Sequence, residues 1–155
     1  MTLKKYQLKR KFNKTPEPKG KLAKISKSRF VIHKHDASHL HYDFRLEMDG
    51  VLKSWAIPKE PPKTKGIKRL AIQVEDHPID YINFEGIIPD GNYGAGKVEI
   101  WDKGVYQGSN KTLKHKSKKM KSGLDSFKFE LKGKKLKGEY VLVRLKDKNW
   151  LLFKV

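Results

Sequence analysis

No cysteine occurs anywhere in the 155 residues. Disulfides, thiolate metal sites and cysteine nucleophiles are thereby excluded, and any metal would have to be held by nitrogen and oxygen ligands. Long apolar runs are missing as well. No stretch approaches the roughly 20 residues needed to span a bilayer, and the basic residues 1–14 contain no apolar signal-peptide core. No membrane association is expected, and a cytoplasmic location is. Acidic residues are scarce: Asp+Glu 17 stand against Lys+Arg 36, a net charge of +19. Such an excess repels itself in a folded chain and is best tolerated beside a polyanion, so nucleic acid is the expected partner class. A general basic bias of the source proteome is the alternative.

The length is that of one ordinary domain, enough to bury a core without covalent staples. Residues 1–28 are lysine-rich, contain Thr15-Pro16-Glu17-Pro18-Lys19-Gly20, and show no sustained helical or strand period. They read as a basic arm lying on the domain surface. From Arg29 to the end, residues 29–155 form short apolar segments broken by turn residues, the pattern of an all-β sandwich or barrel. The expected strands are 30–33, 40–47, 52–57, 70–74, 97–102, 127–131, 140–145 and 150–155. Residues 107–126 interrupt them with Lys111, Lys114, Lys116, Lys118, Lys119 and Lys121. This lysine-rich insertion reads as a loop or short basic helix that adds electrostatic affinity rather than catalysis.

The clearest strand carries chemistry. Leu40, Tyr42, Phe44 and Leu46 alternate with His41, Asp43, Arg45 and Glu47, so His41, Asp43 and Arg45 project from one face about 7 Å apart. An imidazole and a carboxylate able to take a divalent cation would then lie beside a bidentate phosphate clamp. A solvated polar strand face is the plainer reading of the same pattern. His35 belongs to another segment, and its convergence on that site does not follow from spacing. His33 and His39 read as surface or supporting histidines. In residues 68–81, Leu70, Ile72 and Val74 are expected on an apolar face, with Arg69, Gln73, Glu75 and His77 on the other. His77, at a strand end before Pro78, suits acid/base work or phosphate contact, though a capping or core histidine fits equally. The glycines in Gly91-Asn92-Tyr93-Gly94-Ala95-Gly96 lack the Gly-Lys-Ser/Thr ending and following helix of a phosphate-binding P-loop, and read as tight turns.

Taken in order, Lys34-His35-Asp36-Ala37, Leu40-His41-Tyr42-Asp43-Phe44-Arg45-Leu46-Glu47, Lys53-Ser54-Trp55-Ala56, Val74-Glu75-Asp76-His77-Pro78, Phe84-Glu85-Gly86 and Gly91-Asn92-Tyr93-Gly94-Ala95-Gly96 resemble the 3′-phosphoesterase domain of bacterial DNA ligase D and its stand-alone relatives. The resemblance runs from about Tyr6 to the C-terminus. It implies a compact single-domain β-barrel with a crescent-shaped groove and a Mn²⁺-dependent activity, Co²⁺ and Zn²⁺ being other candidate metals. The implied substrates are DNA or RNA/DNA primer-template 3′ ends in end-joining repair, with a ligase and Ku-like proteins as partners. A phosphodiesterase step would remove a terminal 3′-ribonucleoside, and a phosphomonoesterase step would then leave a 3′-hydroxyl. By motif match His35, His41 and Asp43 would ligate the metal. Arg45, His77 and Tyr81 would contact the scissile phosphate, with His77 transferring protons. Lys59 and Arg69 match further phosphate-binding positions, and Glu75 an acidic residue of the site. Two departures stand out: Lys11 where an acidic residue is frequent, and His33 where Gln is common; Glu17 fits the pattern. The rival function is a non-catalytic basic nucleic-acid-binding barrel. A hydrolase of small phosphate esters and a structural accessory of a ligase complex are lesser rivals.

Overall fold

Alternating apolar and polar side chains, cut at Asp49-Gly50 and by prolines, produce strands rather than helices along most of the chain. The computed structural model describes residues 3–20, 27–108 and 126–155. Its elements are α1 (Lys4–Leu8), β1 (Arg29–Asp36), β2 (Leu40–Met48), β3 (Val51–Ile57), β4 (Lys68–His77), a 3-10 turn (Ile79–Asn83), β5 (Gly86–Ile88), β6 (Gly96–Gly108), β7 (Ser126–Lys132), β8 (Lys137–Lys146) and β9 (Asn149–Lys154). The lysine cluster of 111–121 lies outside the described residues.

The strands follow one another antiparallel in the order β1-β2-β3-β4-β9-β8-β7-β6, and β6 pairs back onto β1. An eight-stranded barrel is thereby closed, with β5 added along β6. Closure removes the free edges that an open sheet exposes. The fold is thus the expected all-β barrel. At Asp49-Gly50 both residues take positive φ, 55° and 81°, the two-residue hairpin geometry that matches strand twist.

Two apolar clusters share the barrel wall. Inside it, Phe30, Phe44, Leu46, Trp55, Phe129 and Leu142 pack together. Outside it, Val31 of β1 and Leu52 of β3 are covered by Tyr6 of the arm, Tyr81 and Ile82 of the 3-10 turn, and Val98 of β6. The arm is therefore built into the domain. Tyr6 is fully buried and donates its hydroxyl hydrogen bond to the Pro18 carbonyl. Burying a large apolar side chain contributes about 1.5–3 kcal/mol, which helps hold so charged a segment in place. Its helix spans five residues, too few to show a helical period in the sequence.

β4 differs from expectation. Leu70 is exposed, while Ala71 belongs to the inner core and Gln73 accepts a hydrogen bond from the Trp150 indole. Leu70, Ile72 and Val74 hence face outward. The register supplies the reason: Ser54 pairs with Val74 but Leu52 pairs with His77, so one extra residue is inserted in β4. That bulge resets the alternation, bringing Val74, Glu75 and His77 to the same wall.

Candidate active site

The second shell of segments outside the barrel leaves a cavity of about 290 Å³ between the outer faces of β1–β4 and the arm. Antiparallel register between β1 and β2 sets His35 opposite His41 and His33 opposite Asp43. This is how two segments separated by the turn at 37–39 converge. One nitrogen each of His35 and His41 and one oxygen of Asp43 lie within 4.8 Å of one another. His35 Nδ1 is 3.6 Å, and His41 Nε2 3.2 Å, from Asp43 Oδ2.

The outward nitrogens are held by backbone carbonyls. His35 Nε2 donates to Gly94 O at 2.7 Å and His41 Nδ1 to His39 O at 3.0 Å. Gly94 adopts φ +75°, a left-handed conformation that glycine enters without penalty. Carbonyl partners of this kind fix ring orientation and leave the opposite nitrogen for a metal. Burial pulls the His41 pKa down, but the Asp43 hydrogen bond and charge outweigh it and raise it. Burial would push Asp43 up, yet the Arg45 guanidinium and both imidazoles hold it well below the usual carboxylate range. The three donors, two imidazoles and one carboxylate, fit a divalent transition ion.

Arg45 is fixed on three sides. Its Nε donates to His33 Nδ1 at 3.2 Å, Nη1 to Ser54 Oγ at 3.0 Å, and Nη2 sits 3.4 Å from Asp43 Oδ2. His33 is fully buried and its Nε2 donates to the Phe84 carbonyl at 3.0 Å. The imidazole is therefore neutral with its lone pair on Nδ1; burial, reinforced by Arg45, pushes its pKa down to about 3. Of the two supporting histidines, His33 acts through its ring and His39 through its backbone carbonyl.

His77 is buried at the end of β4. Its Nδ1 donates to the Glu75 carbonyl at 2.9 Å, while its Nε2 lies 3.4 Å from Arg10 Nη2 and accepts from it. Burial first, then the charges of Arg45 and Arg10, hold its pKa well below the ordinary histidine value. It is a neutral base. Tyr81 packs edge-on against His77 at 4.8 Å and lies beneath the Arg45 guanidinium at 4.9 Å. Its hydroxyl donates to Glu17 Oε2 at 2.6 Å, and burial raises its pKa well above that of a free phenol.

Arg10 and Glu17 complete the cavity from the arm. Arg10 bonds Glu17 Oε2 at 3.0 Å and Glu75 Oε2 at 3.1 Å. Burial pushes the Glu75 pKa up, but a backbone hydrogen bond and the hydrogen bonds from Lys9 and Arg10 outweigh it and hold it below the usual range. Sequence reasoning did not single out Arg10. One signal was available: Arg10 and Glu17 are the one arginine and the one acid among the lysines of residues 1–28. By formal charge the cavity sets the guanidiniums of Arg10 and Arg45 against the carboxylates of Glu17, Asp43 and Glu75. That leaves one negative charge, which a divalent cation would convert to one positive, suited to a phosphate.

Six of the sequence-derived candidates, His35, His41, Asp43, Arg45, His77 and Tyr81, line this one cavity, and Glu75 joins them. Lys59 and Arg69 do not line it. Lys59 is exposed beyond β3, and Arg69 on β4 donates to the Glu60 carbonyl at 2.8 Å.

Residues 33–144 match the DNA Ligase D 3′-phosphoesterase domain. Over 96% of its length the chain is 46% identical to the multifunctional non-homologous end joining protein LigD of Pseudomonas aeruginosa, covering 18% of that protein. It is 44% identical, over 94% of its length, to the protein of the same name from Mycolicibacterium smegmatis, covering 19%. Against the end joining DNA repair protein LigD of Mycobacterium tuberculosis the identity is 42% over 96%, again covering 19%. The chain thus spans about a fifth of the length of these relatives.

Proposed function

Because the chain belongs to the DNA ligase D 3′-phosphoesterase family, we propose that it is a metal-dependent hydrolase that trims the 3′ ends of DNA strands during end joining. A phosphodiesterase step would remove a terminal 3′-ribonucleoside, and a phosphomonoesterase step would convert the remaining 3′-phosphate to a 3′-hydroxyl. The observation that carries this reading is the convergence of His35, His41 and Asp43 with Arg45, His77 and Tyr81 in one cavity.

His35 Nδ1, His41 Nε2 and an Asp43 oxygen would hold the ion, Mn²⁺ in our reading with Co²⁺ or Zn²⁺ as substitutes. When bound, it supplies Lewis-acid polarisation of a phosphate oxygen and a lowered pKa for a coordinated water. The side chains do the rest. Arg45, immobilised by His33, Ser54 and Asp43, would meet a phosphate with its guanidinium already oriented, the preorganised charge that stabilises a transition state. Arg10, on the far side of His77 Nε2, would share the phosphate charge. His77, neutral at physiological pH, would accept a proton at Nε2 and return it to the leaving oxygen once the phosphate charge has raised its basicity. Tyr81 would donate through its hydroxyl, with Glu17 as its resting acceptor. Lys59 and Arg69 would contact the strand outside the cavity.

A primer-template ending in one 3′-ribonucleotide, incubated with Mn²⁺ or with chelator and resolved by gel, tests this. Expected is metal-dependent conversion to a 3′-phosphate and then a 3′-hydroxyl end, reduced by at least about 10²-fold in His41→Ala, as for loss of a metal ligand or its support. A primer that is bound but untouched would identify a nucleic-acid-binding barrel instead.

A further inference from the structure

A second groove that the reaction chemistry does not use adjoins the cavity. This groove has a volume of about 540 Å³ and shares Val74, Glu75 and Tyr93 with the cavity wall. Lys5 and Lys9 from the arm, Lys53 from β3 and Lys148 from the turn before β9 line it. Its two carboxylates are engaged: Glu75 with Lys9 at 3.1 Å and with Arg10, Asp76 with Lys53 at 3.2 Å. Four ammonium groups thus line a groove with two paired acids beside the cavity.

Tyr93 stands where the two spaces meet. It is 49% exposed, on the loop whose next residue, Gly94, holds His35. Lys9 Nζ lies 4.8 Å and the Arg10 guanidinium 5.2 Å from its ring centroid. A flat ring bordered by cations beside a lysine channel is the arrangement that takes single-stranded nucleic acid, with bases stacking on the aromatic face and phosphates tracking the basic groove.

We infer that this groove binds the unpaired nucleotides carrying the reacting 3′ end, with a base stacked on Tyr93 and the sugar-phosphate chain along Lys5, Lys53 and Lys148. The inference rests on the phosphoesterase reading for the direction of the strand, but its binding prediction stands apart from turnover. The last pair of a duplex end offers one free face, but a base can lie on Tyr93 with its phosphates along the lysines only if the final nucleotides of the primer strand leave their pairs, because interior paired bases have both faces stacked. A base on Tyr93 gains more than the exposed lysine–ring contact it displaces, and the released ammonium remains beside the phosphates.

Fluorescence anisotropy of a labelled single-stranded oligonucleotide with a 3′-hydroxyl end, measured in chelator over a salt series, tests the groove without catalysis. Tyr93→Ala is expected to weaken binding roughly tenfold or more, with Tyr93→Phe retaining it. The double variant Lys5→Gln/Lys148→Gln is expected to lower the slope of log K against log salt by about 1.4, or about 0.7 per lost phosphate contact. Unchanged affinity in Tyr93→Ala together with an unchanged slope in the lysine variant would overturn the inference. Equal losses for a blunt hairpin duplex would overturn the single-strand assignment. Turnover of the ribonucleotide-ended primer by the wild-type protein with Mn²⁺, assayed alongside, separates the two: its absence removes the phosphoesterase reading and leaves the binding result standing.

Discussion

Arg45 shows how much of the site depends on the groups that hold a single side chain. His33 accepts from its Nε only because the Phe84 carbonyl holds the other ring nitrogen as the donor. His33→Leu would leave a buried guanidinium N–H unpaired, an uncompensated polar group costing about 1–3 kcal/mol. His33→Gln keeps an acceptor. We expect the Leu variant to unfold at correspondingly lower urea and to lose most of its kcat, with Gln restoring both. Equal kcat in Leu and Gln variants would show that Arg45 needs no support. His77 carries a pH dependence whose sign follows from its depressed pKa. The unfolded chain protonates this imidazole near pH 6.5, the folded one only at lower pH, so the folded state binds fewer protons in between. Its contribution is present above that value and lost as pH falls below it. Thermal melts in chelator should therefore drop between about pH 7 and pH 5, and His77→Gln should flatten the drop; parallel curves would contradict this.

At the scale of elements, the bulge in β4 is the device that brings Glu75 and His77 to the cavity while Gln73 faces the core. Strand alternation is strictly two, so one residue more or less turns every later side chain to the opposite wall. Deleting Asp76 removes the inserted residue: His77 then follows Val74 by two and still faces Leu52, while Glu75 takes the inward parity of Gln73 and should leave Arg10. The expected outcome is a retained β-sheet circular dichroism spectrum with phosphoesterase turnover lost; turnover within a few-fold of wild type would show that Glu75 is dispensable or that the strand re-forms the bulge elsewhere. The arm is the other decisive element. Through Tyr6 it covers the outer cluster, and through Arg10 and Glu17 it supplies a cation and an anion to the site.

For the whole molecule, charge is the governing quantity. Asp43, Glu17 and Glu75 outweigh two guanidiniums inside a chain of net charge +19, so the cavity is a local sink for cations in a basic surround that attracts polyanions. Metal bound only to the folded state stabilises it by mass action, about 2.7 kcal/mol at a free concentration 100 times Kd. Mn²⁺ should raise the melting temperature of the wild type in a concentration-dependent way and leave Asp43→Asn unmoved. An equal rise in both would place the ion elsewhere.

Several features were legible in the amino-acid order. The lack of cysteine restricted ligands to nitrogen and oxygen, the period of two in residues 40–47 set His41, Asp43 and Arg45 on one face, and the succession of motifs pointed to the family. All are local or compositional properties, which a linear chain displays directly. Tertiary structure decided the remainder. His35 meets His41 because of the β1–β2 register, β6 closes the barrel on β1 across residues such as Arg29 and Val105, and Arg10 reaches His77 from 67 positions away. Periodicity records which side chains share a face of their own strand. Which wall that face joins, and what covers it, depends on packing between segments far apart in the chain, as the inverted faces of β4 demonstrate.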